Sequence, residues 1–77
     1  MYTYNIAKNP DNKAFKNTCA QIESKMSDLK KEKLLIDVDG SVIQIYRSPT
    51  GKIAIFNDYL VGAVYVDSEI DLRDVLK

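Results

Sequence analysis

Leu34 to Gln44 reads LLIDVDGSVIQ, two β-rich runs on either side of Asp39-Gly40. An Asp-Gly pair between alternating apolar runs is the strongest short-range hairpin signal. Taken as a two-residue turn, Asp39-Gly40 predicts that Val38 faces Ser41, Ile36 faces Ile43 and Leu34 faces Ile45. One face then carries Leu34, Ile36, Ile43 and Ile45, an apolar row fit for a core. The other carries Leu35, Asp37, Val42, Gln44 and Tyr46. Side chains alternate with period two, so the turn and the pattern together set the register.

The rest of the chain arranges itself around this hairpin. Upstream, YTYNIA (residues 2–7) alternates and predicts a first strand. Asn9 suits a helix N-cap, Pro10 the first helical position and Asp11 the first turn. Phe15, Cys19, Ile22, Met26 and Leu29 recur at steps of four and three, an apolar stripe on a helix of about five turns. Lys13, Lys16, Glu23 and Lys30 fall on the opposite face. KKEK (residues 30–33) places cations where the C-terminal end of the dipole favours them. Downstream, RSPTGK predicts a second turn, KIAIF a strand, Asn57-Asp58 a third turn and YLVGAVYV a last strand with Gly62 as a bulge. Ser68 suits an N-cap before a short final helix with Leu72, Val75 and Leu76 on one side. The expected order is β-α-β-β-β-β-α over one small domain, residues 1–77. The fold class is α+β, one long amphipathic helix on a four- or five-stranded antiparallel sheet.

Composition narrows the chemistry. Eleven Lys and Arg balance eleven Asp and Glu. A net charge of zero argues against a chain-wide nucleic-acid or membrane surface. There is no His and one Cys. The commonest general base and metal ligand are thus missing, and no internal disulfide can form. No run approaches a spanning length and the N-terminus lacks a signal-peptide pattern, so the expected location is cytoplasmic. Cys19, central in the helix stripe, reads as a small buried apolar residue.

Two resemblances bear on function. D-V-D-G-S (residues 37–41) resembles the first signature of haloacid dehalogenase-like hydrolases, with Asp37 as nucleophile, Asp39 as acid/base and Mg²⁺ as cofactor. VDSEID (residues 66–71) resembles the later acidic motif of that family. Such hydrolases use parallel strands joined by crossovers of a dozen or more residues, whereas Ser41 to Val66 shows only hairpin turns. The helix-meander-helix order resembles the double-stranded-RNA-binding domain. There a basic end of the last helix meets phosphate, and here that end reads DSEIDLRD.

The reading that remains is a non-catalytic protein-binding module, with no catalytic residue, no metal and no cofactor. A single helix covers one sheet face, so the other face needs a partner. That partner is another protein or a second copy of the chain. Leu35, Val42, Tyr46, Tyr59 and Tyr65 are the expected contact residues, since tyrosine joins a large apolar area to a polar tip. A small regulator or inhibitor fits this class, including a phage or mobile-element anti-defence protein such as a CRISPR inhibitor. The alternative is a nucleic-acid-binding accessory domain using Lys13, Lys16, Lys25, Lys30, Lys31 and Lys33. Behind it stands a Mg²⁺-dependent phosphohydrolase built on Asp37 and Asp39. No membrane contact is expected.

Overall fold

The computed structural model describes residues 1–76. Its order is β1 (Tyr2–Ala7), α1 (Asn12–Lys25), β2 (Lys30–Lys31), β3 (Leu35–Ile36), β4 (Val42–Ser48), β5 (Gly51–Asp58) and β6 (Ala63–Ser68). The fold is α+β, one helix against one antiparallel sheet. Among the described residues no helix is long and apolar enough to cross a membrane. The strands run β1-β6-β5-β4-β2, and β3 also pairs with β4. Lys30 and Lys31 oppose Arg47 and Tyr46, while Leu35 and Ile36 oppose Ile43 and Val42. β2 and β3 are therefore two pieces of one edge, and the sheet has six strands rather than four or five. Lys30 and Lys31 belong to that edge and not to a helix end. Gln44 bridges the gap between the pieces, donating from Nε2 to the Glu32 carbonyl at 2.7 Å.

The helix begins later than its sequence suggests. Asp11 is the N-cap, and its Oδ1 accepts from Lys13 N at 2.9 Å and Ala14 N at 3.1 Å. Pro10 lies before the cap and Asn9 plays no part in it. The helix ends at Lys25, short of the expected length, yet Met26 and Leu29 still pack on the core from irregular chain. Phe15, Thr18, Cys19 and Ile22 form its buried face.

The hairpin register differs from the two-residue reading by one. Gly40 N donates to the Asp37 carbonyl at 3.1 Å, and Asp37 N donates to the Ser41 carbonyl at 2.8 Å. The loop is thus Val38-Asp39-Gly40, a tight turn followed by a left-handed glycine at φ +88°. A two-residue turn would hold Asp39 at positive φ as well, and among the described residues only glycines have positive φ. The longer loop avoids that strain and pairs Leu35 with Ile43. The shift moves Leu35, in place of Leu34 and Ile36, onto the face of Ile43 and Ile45. Separately, the β4 face that meets the helix is the opposite of the expected one. Val42, Gln44 and Tyr46 look toward the helix, while Ile43 and Ile45 look away from it. Leu34 and Ile36 are exposed instead of buried.

The core lies between helix and sheet. Tyr46 opposes Ile53 on β5, and Ile55 opposes Val66 on β6. Ile22, Tyr46, Ile53, Ile55, Val64, Val66 and Leu72 are all fully buried. Each aliphatic side chain so buried contributes roughly 1.5–3 kcal/mol. Asn57 is buried too, and is a strand residue rather than a turn residue. It accepts on Oδ1 from Asp11 N at 3.0 Å, tying β5 to the start of the helix. The third turn lies at residues 59–62, and Gly62 belongs to it rather than to a bulge. No final helix forms among the described residues. Ser68 ends β6, and its hydroxyl closes a local loop with the Ile70 amide and carbonyl at 2.9 and 2.7 Å. The tail nevertheless brings Leu72, Val75 and Leu76 onto the core, as their spacing suggests.

Candidate interaction surface

Helix and tail both pack on the same face of the sheet. The opposite face is built from the residues that alternate with the core rows. One line across the strands runs Leu35, Ile43, Phe56, Tyr65 and Asn5, each directly opposite the next. The neighbouring line holds Ile45, Ala54 and Asp67. Phe56 and Tyr65 stack with centroids 4.6 Å apart and planes 12° from parallel. Tyr65 donates its hydroxyl to Asp58 Oδ2 at 3.1 Å. The outer face therefore carries an apolar belt from Leu35 to Tyr65, with an aromatic stack between Phe56 and Tyr65 and with Asn5 and Asp67 at its far end.

Charge borders the belt. On one side Lys52 and Arg47 are paired residues of β5 and β4, and Lys30 opposes Arg47. Arg47 also holds Glu32 at 3.1 Å. On the other side lie Asp58, at the end of β5, and Asp37, bonded to Ser41 at the start of the turn. Asp58 Oδ1 accepts from the amides of Leu60 and Val61 at 2.9 and 3.0 Å. The Val61 amide first, with help from the Tyr65 hydroxyl and the Leu60 amide, holds the Asp58 carboxyl below its usual range. It is a fixed negative charge at neutral pH.

The acidic end continues into two turn tips. Tyr59 N donates to Ser41 Oγ at 2.9 Å, and the Tyr59 ring lies beside Gly40, so the two turns stand together. Val38, Leu60 and Val61 project from them, with exposures of 103%, 89% and 67%. A cleft of about 460 Å³ opens beside Val61, lined also by Ile6, Ala7 and Lys8. Large apolar residues at turn tips are unusual in a chain whose turns could be polar.

Of the five expected contact residues, the structure brings Leu35 and Tyr65 onto the outer face and Tyr59 to the adjoining turn. Val42 is partly buried against the core and Tyr46 is fully buried, both on the inner side of the sheet. The face carrying Gln44 and Tyr46 meets the helix because their polar groups find partners there, at the Glu32 carbonyl and the Glu23 carboxylate. Ile43, Ile45 and Phe56 take their places. The preference for keeping Asp39 out of positive φ lengthens the loop and sets Leu35 beside Ile43, while the turn carries no signal for which face of β4 meets the helix.

The lysines do not form one helix face. Lys13, Lys16 and Lys25 lie on α1, whereas Lys30 and Lys31 lie on β2 and Lys33 in the following loop. Lys31 pairs with Glu23 at 3.2 Å, and Lys25 Nζ donates to the Val75 carbonyl at 3.1 Å. Asp37 and Asp39 each accept a backbone amide within the turn, Val38 N at 2.7 Å and Ser41 N at 2.9 Å. Among the described residues no three His, Cys, Asp or Glu stand close enough to hold a metal ion.

One polar cluster lies on the inner side. Tyr46 donates its hydroxyl to Glu23 Oε2, and Glu23 also meets Lys31. The Tyr46 hydrogen bond and then Lys31 hold the Glu23 carboxyl below its usual range. Burial pushes the Tyr46 phenol up, and burial pushes the neighbouring Cys19 thiol up as well. A reactive thiol needs the opposite shift. The cluster works as an anchor between helix and sheet.

Comparison of the chain with protein-family models, curated proteins and solved structures finds no match.

Proposed function

We propose that the protein is a non-catalytic binding module that acts through protein–protein contact, with the outer sheet face as its docking surface. The observation that carries this reading is the location of the apolar surface. Helix and tail pack on one face alone, while the belt of Leu35, Ile43, Phe56 and Tyr65 and the tips at Val38, Leu60 and Val61 lie outside that core. A contiguous apolar patch rimmed by charge marks interaction sites on small domains. Aromatic anchors with a polar rim are the usual make-up of such contacts. The size of the chain suits a regulator or inhibitor that occludes a surface on a larger protein.

The test is capture of partners from host lysate by tagged protein, with and without nuclease. Ile43→Arg and Phe56→Glu serve as controls whose side chains lie outside the core. A protein captured in both conditions by the wild type and by neither variant supports the reading. Capture that disappears with nuclease, or that survives both substitutions, overturns it.

A further inference from the structure

The charges beside the belt are arranged in a way that selects an occupant. Lys30 and Lys52 form one border, at one end of the strands, on either side of Arg47, whose charge is paired with Glu32 at 3.1 Å. Glu69 Oε1 accepts from Lys52 N at 2.7 Å there. Asp37 and Asp58 form the other border, at the opposite end. The two borders lie on the same strand positions. Lys30 and Asp37 are both on the β2–β3 edge, and Lys52 and Asp58 are both on β5. The belt lies midway between them. A surface of this kind is complementary to itself when one copy is turned over about an axis that runs along the belt.

We infer that the outer face packs against a second copy of this chain, related by a two-fold axis parallel to the apolar belt and perpendicular to the strands. This rests on the docking-surface reading above and narrows its occupant. The operation keeps each strand position and reverses direction along the strand. Ile45 of one copy then meets Ile43 of the other, and Ala54 meets Phe56. Lys30 meets Asp37, and Lys52 meets Asp58. A two-fold axis along the strands would instead set the cationic border on its own copy, and like charges across an interface are strongly unfavourable. The arrangement is isologous and closes as a dimer. Its strands cross at the roughly 30° of aligned sheet packing.

The area is sufficient. Five strand positions about 4.8 Å apart and a usable strand length of about 20 Å outline roughly 500 Å² per copy. The pair therefore reaches the roughly 1,000 Å² at which a specific interface begins. The dimer is small, and its charge borders make it tighter at low ionic strength.

The experiment is sedimentation velocity over a wide concentration range for the wild type, Lys30→Glu, Asp37→Lys and an equimolar mixture of the two variants, with circular dichroism to verify folding. Each single reversal sets like charges together at both symmetry-related contacts and should weaken the dimer about tenfold to a hundredfold. The mixture should restore it. In the mixed pair the acid introduced at position 30 of one variant meets the base introduced at position 37 of the other, and the second contact keeps the native Asp37 and Lys30. Isotope-filtered NMR on mixed labelled and unlabelled wild type needs no variant. It should show contacts between copies from Ile43 to Ile45 and from Ala54 to Phe56. Singles that match the wild type, a mixture that stays monomeric, or an absence of those contacts overturns the proposal. A wild type that is monomeric at every concentration overturns it too. If that monomer still captures a lysate protein in an Ile43-dependent way, the docking surface stands and only its occupant changes.

Discussion

Removing the Tyr46 hydroxyl should cost stability in a way that depends on pH. Tyr46 is fully buried, and its hydroxyl donates to the Glu23 carboxylate. A hydrogen bond to a charged group contributes roughly 1.5–3 kcal/mol. In Tyr46→Phe the ring still fills its place, so no large cavity opens. Glu23 is 43% exposed at its side chain and keeps Lys31 at 3.2 Å, so it is not left unpaired. Both points favour the lower end, about 1.5 kcal/mol at neutral pH. For a domain of this size that lowers Tm by about 6–12 °C. The folded Glu23 carboxyl lies below its unfolded range, so its contribution is present above that range and lost as pH falls through the folded value. Tyr46→Phe removes the largest cause of the shift. The gap between the variant and the wild type should therefore narrow below about pH 4, toward that of a neutral hydrogen bond. Urea unfolding at about pH 7 and about pH 3 gives both numbers, and a cycle with Glu23→Gln isolates the pair. A cost under about 0.5 kcal/mol at neutral pH, or a cost unchanged in acid, refutes the reasoning.

Other substitutions test other joints. Asp11→Ala removes the acceptor for two helix amides and should cost about 1 kcal/mol by thermal unfolding, whereas Asn9→Ala should be near neutral. Asn57→Ala strands the Asp11 amide against a buried strand and should cost about 2–3 kcal/mol in denaturant. Gly40→Ala places a side chain at φ +88° with only ordinary contacts to the Tyr59 ring. Its cost of about 1–2 kcal/mol is therefore conformational, and Gly40→Asn should recover part of it. The Asp58 carboxyl is held down by turn amides, so its contribution is present above the unfolded carboxyl range and lost as pH falls. Amide exchange of Leu60 and Val61 should accelerate on acidification beyond its intrinsic change, and Asp58→Asn should remove that dependence.

What can be read locally in this sequence is read well. β1 has its predicted bounds, since alternation over six residues is a local signal even though the strand pairs with the distant β6. The Ser48–Gly51 turn is also where Pro49 and Gly51 place it. Cys19 is buried at the centre of its stripe. The errors cluster where two local signals compete or where the deciding partner is distant. Asn9 and Asp11 are both good caps, and the choice falls to Asp11, whose own amide finds Asn57 some 46 residues away. Lys30 and Lys31 look like a basic helix end. Nothing nearby shows that Arg47 and Tyr46 will pair with them. Ser68 has a hydroxyl fit to start a helix, and the same hydroxyl closes a loop on Ile70 instead.

The candidate surface depends on which face of β4 meets the helix. Alternation says that Val42, Gln44 and Tyr46 share a face and that Ile43 and Ile45 share the other. It does not say which face meets the helix. Apolar content alone favours the isoleucines, since Gln44 carries an amide and Tyr46 a hydroxyl. The structure makes the opposite choice because each polar group on that row finds a partner. Gln44 reaches the Glu32 carbonyl and Tyr46 reaches Glu23. Once satisfied, such groups lose their penalty for burial, and a tyrosine fills more core than an isoleucine. The isoleucines are then free for the outside, where Leu35 joins them because the loop through Gly40 is three residues long. Of the tyrosines, Tyr46 therefore lies in the core and Tyr65 on the outer face. The difference is the presence of a carboxylate on the facing helix, which makes burial of Tyr46 favourable and leaves Ile43 and Ile45 on the outer face.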